Sequence, residues 1–171
     1  MSWEKLKKLL KLPSAKENIL LLDGPTNELN IKERFEQFKI AYEQEHTPLD
    51  TLDNSMLQLK PEDIEGNYAL KGHNPGDKDK MYYGHLNLRY IGGKFKAKWD
   101  IAISGQGQLG EGFLYDDKLV LNFYYHEEDE EYAGMVIYQL TGPHSFKGFW
   151  IEEGIFSPGY EECELKNRVL V

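Results

Sequence analysis

The sequence predicts a mainly β protein, an antiparallel up-and-down barrel of eight strands that follows an α-helical N-terminal extension. Three observations support this fold class. Eight short runs of alternating apolar and polar residues follow Pro61, and turn-rich connectors separate them at even spacing. Fifteen of the 16 glycines and 18 of the 22 aromatic residues also follow Pro61. The earlier residues are rich in Leu, Lys and Glu, which favour helix, so we expect the extension at residues 1–60 and the barrel at residues 61–171.

The extension is expected to contain two helices. The first begins after Ser2, which can cap it, and ends before Pro13. Its Trp3, Leu6 and Leu10 recur at helical spacing. This stripe suits packing on the barrel, or docking on a membrane surface as an alternative. We favour packing, and do not expect membrane contact, because a net charge of +3 over twelve residues is a weak membrane signal.

The second helix is expected between a turn at residues 24–27 and about Glu45, with Thr26 or Asn27 as its cap. Charged residues separate the members of an apolar stripe, which gives the helix one face to bury. The stripe consists of Leu29, Ile31, Phe35, Phe38 and Tyr42. The segment at residues 46–61 carries scattered Leu and Met, so we expect it to lie along the barrel.

Glycine, proline and acidic turns delimit the eight predicted strands. These span residues 63–72, 81–90, 94–104, 108–115, 118–126, 132–140, 145–152 and 159–166. Short turns suited to hairpins connect several of them, at residues 91–93, 116–117, 127–131 and 142–143.

Period-two alternation identifies the inward face of the strands. It is clearest in the third run, where the predicted inward residues are Phe95, Ala97, Trp99, Ile101 and Ile103. The residues between them are charged, namely Lys94, Lys96, Lys98 and Asp100. In the preceding run, the predicted inward residues are Leu86, Leu88 and Tyr90.

Glycines inside the runs favour closure of the sheet. Glycine weakens a strand unless the backbone must bend or approach another group closely, and small barrels need such bends at their corners. Closure also removes the exposed edges of an open sheet. An open sheet or a sandwich fits the same alternation and stays an alternative.

Single-pass eight-stranded meanders with glycine-rich hairpins resemble the calycin group, which comprises lipocalins, fatty-acid-binding proteins and avidin-like barrels. The chain is also similar to uncharacterised bacterial barrel domains with a pattern of the type G-x-Y…G-x-N-P…Y-x-G…W…G-x-G. Here the pattern is carried by Gly66, Tyr68, Gly72, Asn74, Pro75, Tyr82, Gly84, Trp99, Gly105, Gly107, Gly134, Tyr138, Gly148, Trp150, Gly159 and Glu161. Gly66-x-Tyr68 stands where many lipocalins have G-x-W. The resemblance implies a fold and brings no particular ligand or activity.

The charge is acidic and uneven. Residues 62–171 carry 11 basic and 19 acidic residues, a net charge of −8, within a total of −9. Such a surface repels phosphate backbones, so we expect no nucleic-acid partner. It is compatible with a basic protein partner, or with solubility alone.

No motif indicates catalysis, a metal or a cofactor. The five histidines show no metal-ligand spacing. Residues 105–110 match G-x-G-x-x-G, but a strand follows where the dinucleotide fingerprint needs a helix. We therefore expect no cofactor and favour binding over an enzymatic function. A barrel that isomerises or cyclises a bound ligand with few charged groups stays an alternative.

The leading functional prediction is a non-enzymatic binding protein whose barrel holds a small apolar or aromatic ligand. Eight strands leave an interior that side chains fill or that one small ligand occupies. The predicted ligand-binding residues are the inward aromatics Tyr68, Tyr90, Trp99, Phe123, Tyr138 and Trp150. For any one of these residues, ordinary core packing is the more common role, because aromatic side chains dominate protein cores.

The alternative is an acidic module, of the inhibitor or immunity type, that recognises a basic protein partner. Acidic surfaces steer basic partners and speed association. The predicted contact is the hairpin tip that follows His126, where tyrosine adjoins charge as it does at interfaces. Its residues are Tyr125, Glu127, Glu128, Glu130 and Glu131.

A cytoplasmic location is the default prediction. The lone cysteine, Cys163, excludes an internal disulfide, and its alternating strand predicts a small core residue. The basic N-terminal stretch lacks the apolar core of a signal peptide, because lysines interrupt its leucines.

Overall fold

The computed structural model describes residues 35–40, 43, 59–102, 107–142, 144–154 and 157–168. Within them, eight antiparallel strands form a closed barrel in sequential order. The strands are β1 (Gly66–His73), β2 (Met81–Ile91), β3 (Lys94–Ile101), β4 (Gly107–Tyr115), β5 (Lys118–Glu127), β6 (Glu130–Gly142), β7 (Ser145–Glu152) and β8 (Gly159–Asn167). This confirms the prediction of a mainly β up-and-down barrel. The open-sheet alternative is wrong, because β1 pairs with β8 as well as with β2.

Part of the predicted extension is described. Residues 35–40 and residue 43 are helical and lie inside the second predicted helix; we call this helix α1. The first predicted helix and residues 51–58 lie outside the described residues, as does Ile103 at the end of the third predicted strand. The division of the chain at residue 60 therefore stays a prediction.

The start of the first strand differs from the prediction. A strand was expected from Asp63, but Pro61–Ile64 forms a 3-10 helix. The Asp63 carboxylate accepts a hydrogen bond of 3.0 Å from the Lys60 backbone N–H, and the Asp63 N–H donates to the Lys60 carbonyl at 2.9 Å. Local bonding of this kind competes with strand pairing. The ladder therefore begins only at Gly66.

The sequential strand order distributes the connections between two ends of the barrel. The connections that follow β2, β4 and β6 lie at the end where the 3-10 helix precedes β1, which we call the closed end. The connections that follow β1, β3, β5 and β7 lie at the opposite end, which we call the open end. The two ends differ in how side chains fill the interior.

Large side chains fill the interior near the closed end. The Tyr68 hydroxyl donates a 2.7 Å hydrogen bond to the carbonyl of Ile64, which joins the first strand to the 3-10 helix. Cys163 is buried in the same core, as its alternating strand predicted. Other buried residues within four positions of a strand terminus at this end include Leu88, Phe95, Leu119, Leu140 and Phe146.

A second apolar cluster lies on the outer face of the barrel. It consists of Phe35, Val120, Met135, Ile137, Phe149 and Tyr160. The Phe35 ring of α1 lies 5.3 Å from the Phe149 ring, and the ammonium of Lys118 lies 4.9 Å from the Phe35 ring centre. The first four residues of β5 and residues 135–138 of β6 are consequently buried on both faces of the sheet. Without α1, this outer cluster would be exposed to water.

Candidate functional site

A cavity of about 280 Å³ lies at the open end of the barrel. Its lining is aromatic and acidic, and among the lining residues that the structure describes no side chain is a lysine, an arginine or a histidine. The lining residues are Asn74, Tyr82, Trp99, Ile101, Gln108, Phe123, Tyr125, Glu127, Val136, Trp150, Glu152 and Glu161. The closed half of the barrel is packed, whereas this half keeps a space that one small ligand could occupy.

Each of the four connections at the open end joins strands that share an aromatic–glycine contact. The four contacts are Tyr82 with Gly72, Trp99 with Gly110, Phe123 with Gly134, and Trp150 with Gly159. In three of them the two residues face each other directly across the ladder, and the Trp99 contact is diagonal. A Cβ at any of these glycines would overlap the ring. The glycines therefore let the four rings lie against the barrel wall.

Glu161 is the buried carboxylate of the cavity, and its side chain is only 6 % exposed. The Tyr82 hydroxyl donates to one carboxylate oxygen at 2.7 Å, and the Tyr138 hydroxyl donates to the other. The Trp99 indole N–H in turn donates to the Tyr138 hydroxyl at 3.2 Å. An indole N–H can only donate, so Tyr138 accepts from Trp99 and gives its own proton to Glu161. The Glu161 carboxylate is therefore the final acceptor of this hydrogen-bond network.

Burial sets the proton affinities of this network. Loss of water raises the pKa of Glu161, while the hydrogen bonds from Tyr138 and Tyr82 act in the opposite direction. Burial, followed by the negative charge of Glu161, raises the pKa of both tyrosines well above the ordinary value. The same two causes raise the pKa of the Cys163 thiol. The tyrosines and the thiol therefore stay protonated at neutral pH, and Glu161 is the titrating group of the interior.

The rim of the cavity carries further carboxylates. Glu152 accepts a 2.7 Å hydrogen bond from the Tyr125 hydroxyl, and burial raises the pKa of that tyrosine. The Tyr125 ring stacks on Tyr132 with ring centres 5.2 Å apart. The buried indole N–H of Trp150 completes no hydrogen bond of standard geometry, although its proximity to the Tyr82 hydroxyl lowers the pKa of that group.

The predicted ligand-binding residues fall into two groups. Trp99, Phe123 and Trp150 line the cavity. The remaining three do not line it: Tyr138 supports Glu161, Tyr68 packs near the closed end, and the ring of the half-buried Tyr90 lies 5.1 Å from that of Phe95. The prediction that these residues bind a ligand stays untested.

Sequence reasoning did not select Tyr82 or Glu161 as site residues. The sequence did contain an indication of Glu161. Alternate residues of a strand face the same side, so Glu161 must face inward together with Gly159 and Cys163. Glu162 faces outward, where its carboxylate lies 2.9 Å from the Lys71 ammonium. The alternation thus indicated an inward carboxylate at Glu161 between Gly159 and Cys163, but it did not identify the tyrosine partners on other strands.

The predicted partner-binding residues lie at the β5–β6 hairpin, beside the same cavity. Tyr125 and Glu127 belong to its lining. Glu128, Glu130 and Glu131 are exposed at the tip, where the His126 imidazole lies 3.3 Å from the Glu131 carboxylate.

No protein-family model matches the chain, and no curated protein or solved structure matches it either. Among the described residues, no three or more His, Cys, Asp or Glu side chains are grouped to hold a metal ion. In that part of the chain, no helix has the length and apolar character needed to cross a membrane. The site is therefore interpreted from its own chemistry.

Proposed function

We propose that this protein is a non-enzymatic binding protein that holds a small ligand with an aromatic or apolar body in the open end of its barrel. The observation that carries the proposal is the 280 Å³ cavity, whose walls present the rings of Tyr82, Trp99, Phe123 and Trp150. Small-molecule sites are concave and mostly apolar, with a few placed polar groups. The cavity fits that description, with Glu161 as its buried polar group.

The volume limits the size of the ligand. The space of about 280 Å³ equals that of roughly nine water molecules at ~30 Å³ each in the liquid. This is close to the lower limit of ordinary ligand pockets, about 300 Å³. We therefore expect a ligand with one ring or a short branched chain, and exclude long fatty acids.

A calycin-like assignment and a cytoplasmic location are parts of the same proposal. Eight antiparallel strands in sequential, closed order are compatible with a calycin-like barrel. The buried position of the single cysteine agrees with a chain that does not rely on disulfides.

Two neighbouring substitutions on β4 test the proposal. Gln108 lines the cavity, whereas Leu109 is 45 % exposed on the outer face of the same strand. A set of small aromatic compounds is offered to the wild-type protein, and retained compounds are identified by native mass spectrometry. Gln108→Phe should weaken binding of a retained compound by about tenfold or more, because the new ring fills the cavity. Leu109→Phe should leave the affinity unchanged. Retention of no compound, or equal losses in both variants, would contradict the proposal.

The acidic hairpin supports a second candidate function, recognition of a basic protein partner. Its carboxylates at residues 127–131 are exposed, and the adjacent Tyr124 is 43 % exposed. Electrostatic steering by such a surface raises association rates and depends on ionic strength. The test is a double variant, Glu128→Lys with Glu130→Lys, which reverses the charge at the tip. Its affinity for a basic partner is compared with the affinity of a control double variant, Glu62→Lys with Glu164→Lys. Both controls are exposed and carry the same charge change away from the tip. Equal affinities of the two double variants would contradict this candidate.

A further inference from the structure

We propose that the ligand carries a positive charge: it is a small organic ammonium ion whose charged group pairs with Glu161 and whose apolar body lies between the aromatic rings. This inference rests on the proposed ligand-binding function and specifies the chemistry of its ligand. The starting point is the direction of the hydrogen bonds around Glu161. Tyr82 and Tyr138 each donate one proton to it, and the Trp99 indole fixes that direction for Tyr138.

When Glu161 is ionised, its two neutral donors leave its negative charge without a counterion and leave it further acceptor capacity. An ionised carboxylate has about four acceptor positions, and the two tyrosine hydroxyls occupy two of them. Glu161 also lines the cavity, so its remaining acceptor positions are accessible from that space. Buried charges in proteins are usually paired with an opposite charge. The cavity is the place from which such a countercharge can arrive.

Within the part of the chain that the structure describes, the surroundings of Glu161 supply no positive charge. The ionisable groups that face it are the hydroxyls of Tyr82 on β2 and Tyr138 on β6 and the thiol of Cys163 on its own strand, all neutral when protonated. The carboxylates of Glu127 and Glu152 at the rim add negative charge. Among the described cavity-lining residues, the other polar groups are the amides of Asn74 and Gln108 and the Tyr125 hydroxyl. A carboxylate or phosphate ligand would be repelled.

The aromatic walls suit the same class of ligand. A cation over the face of an aromatic ring is attracted by the negative face of the ring, most strongly for tryptophan. Trp99 and Trp150 both line the cavity, together with Tyr82. A neutral apolar ligand would use the rings but would leave the carboxylate without a counterion. An ammonium ion with a small apolar body satisfies both features of the site.

Three probes with the same ring and different charge test the inference: phenethylammonium, 2-phenylethanol and 3-phenylpropionate. Affinities are measured by isothermal titration calorimetry at neutral pH. The wild-type protein should bind the ammonium about tenfold more tightly than the alcohol, and the carboxylate more weakly than the alcohol. Glu161→Gln should reduce the preference for the ammonium over the alcohol to about twofold or less.

The adjacent residue offers a matched control. Glu162 carries the same charge but faces outward, so Glu162→Gln should keep the wild-type preference. Circular dichroism establishes that both variants fold. If Glu161→Gln fails to fold, proton release by the wild-type protein provides the second measurement. Because the pKa of Glu161 is raised in the free protein, ammonium binding in mildly acidic buffer should release a proton, whereas alcohol binding should not.

The outcomes separate this inference from the proposed function. Equal or tighter binding of 2-phenylethanol by the wild-type protein would overturn the cationic ligand and leave the pocket function standing. Retention of the ammonium preference in a folded Glu161→Gln protein would overturn the role of Glu161. Failure of all three probes to bind at millimolar concentration would contradict both proposals.

Discussion

The indole of Trp150 lies against the backbone of Gly159, the residue that faces it directly across the β7–β8 ladder. A ring over a cross-strand glycine shields backbone that lacks a side chain of its own. This contact recurs at the other three connections of the open end, with Tyr82, Trp99 and Phe123 as the rings. The repeated contact explains why glycines and aromatics accumulate together in this part of the chain. It also keeps the four rings at the wall, where they surround the cavity.

Gly159→Ala is predicted to disturb the pocket through Trp150. The added Cβ would overlap the indole and force it away from the wall, which should destabilise the protein by about 1–3 kcal/mol. Urea denaturation measures the free energy of unfolding, and tryptophan fluorescence reports the displaced ring. Gly107→Ala is the control, because a Cβ there meets its nearest neighbour only at 3.8 Å. Equal stability of the two variants would contradict the predicted contact.

Tyr138→Phe is predicted to weaken the network around Glu161. The substitution removes a donor to the carboxylate and the acceptor of the Trp99 N–H. A buried polar group that loses its partner costs about 1–3 kcal/mol of stability. Tyr83→Phe, at a side chain that is 60 % exposed, provides the control and should leave the midpoint of urea unfolding unchanged. If Tyr138→Phe is as stable as that control, the hydrogen bonds of Tyr138 do not stabilise the folded protein.

The raised pKa of Glu161 predicts a pH dependence of stability. The folded state holds the Glu161 proton more tightly than the unfolded state, so ionisation of this group opposes folding. Its contribution to stability is therefore fully present below the unfolded pKa and is lost as pH rises through the raised folded pKa. The groups that face Glu161 (Tyr82, Tyr138 and Cys163) stay protonated in that range because their own pKa values are raised.

Glu161→Gln removes this titration and isolates its effect. Urea unfolding of the wild type and the variant is measured from pH 4 to pH 8 in equal steps. The difference in unfolding free energy should move in favour of the variant as pH rises. Glu162, whose pKa is lowered mainly by its hydrogen bond to Lys71 against the effect of burial, contributes with the opposite sign, so Glu162→Gln should show the reverse trend. A difference that is constant with pH for Glu161→Gln would contradict the raised pKa.

Phe35→Ala is predicted to destabilise the barrel from outside. Phe35 is 4 % exposed and packs on Phe149 in the outer cluster. Loss of a buried phenylalanine side chain costs about 3–5 kcal/mol. The control is Ile40→Ala on the same helix, where the side chain is 55 % exposed and should contribute little. If both variants unfold at the same urea concentration, α1 contributes no packing energy to the sheet.

The strand pattern was predictable because its determinants are local. Alternation around Trp99 and the glycine-containing turns depend on neighbours in sequence, and seven of the eight strands begin within two residues of the predicted position. The first strand was predicted three residues too early, because the bonds between Lys60 and Asp63 stabilise a 3-10 helix there. Near-continuous apolar residues in β5 and β6 indicate burial on both faces. That signal was present in the sequence, but it does not say which segment covers the outer face.

The candidate site was predictable only in part. The alternation of inward and outward residues along each strand assigns Trp99, Phe123 and Trp150 to the interior. It does not say which half of the barrel is packed with side chains and which half contains the cavity. That depends on the stagger between strands, which sets the height of each ring along the barrel. The contact of Glu161 with Tyr82 and Tyr138 joins residues that are 79 and 23 positions apart in the chain. No pattern within one strand contains that information.

The most direct test of the pocket is an NMR titration of the tryptophan indole N–H signals with phenethylammonium and, separately, with 2-phenylethanol. Trp→Phe variants assign the signals of Trp99 and Trp150, which both line the cavity. We expect both signals to shift together with a single dissociation constant. Gln108→Phe should abolish the shifts, and Leu109→Phe should preserve them. Binding that leaves both indole signals unchanged, or no change with either compound, would contradict a ligand site inside the barrel.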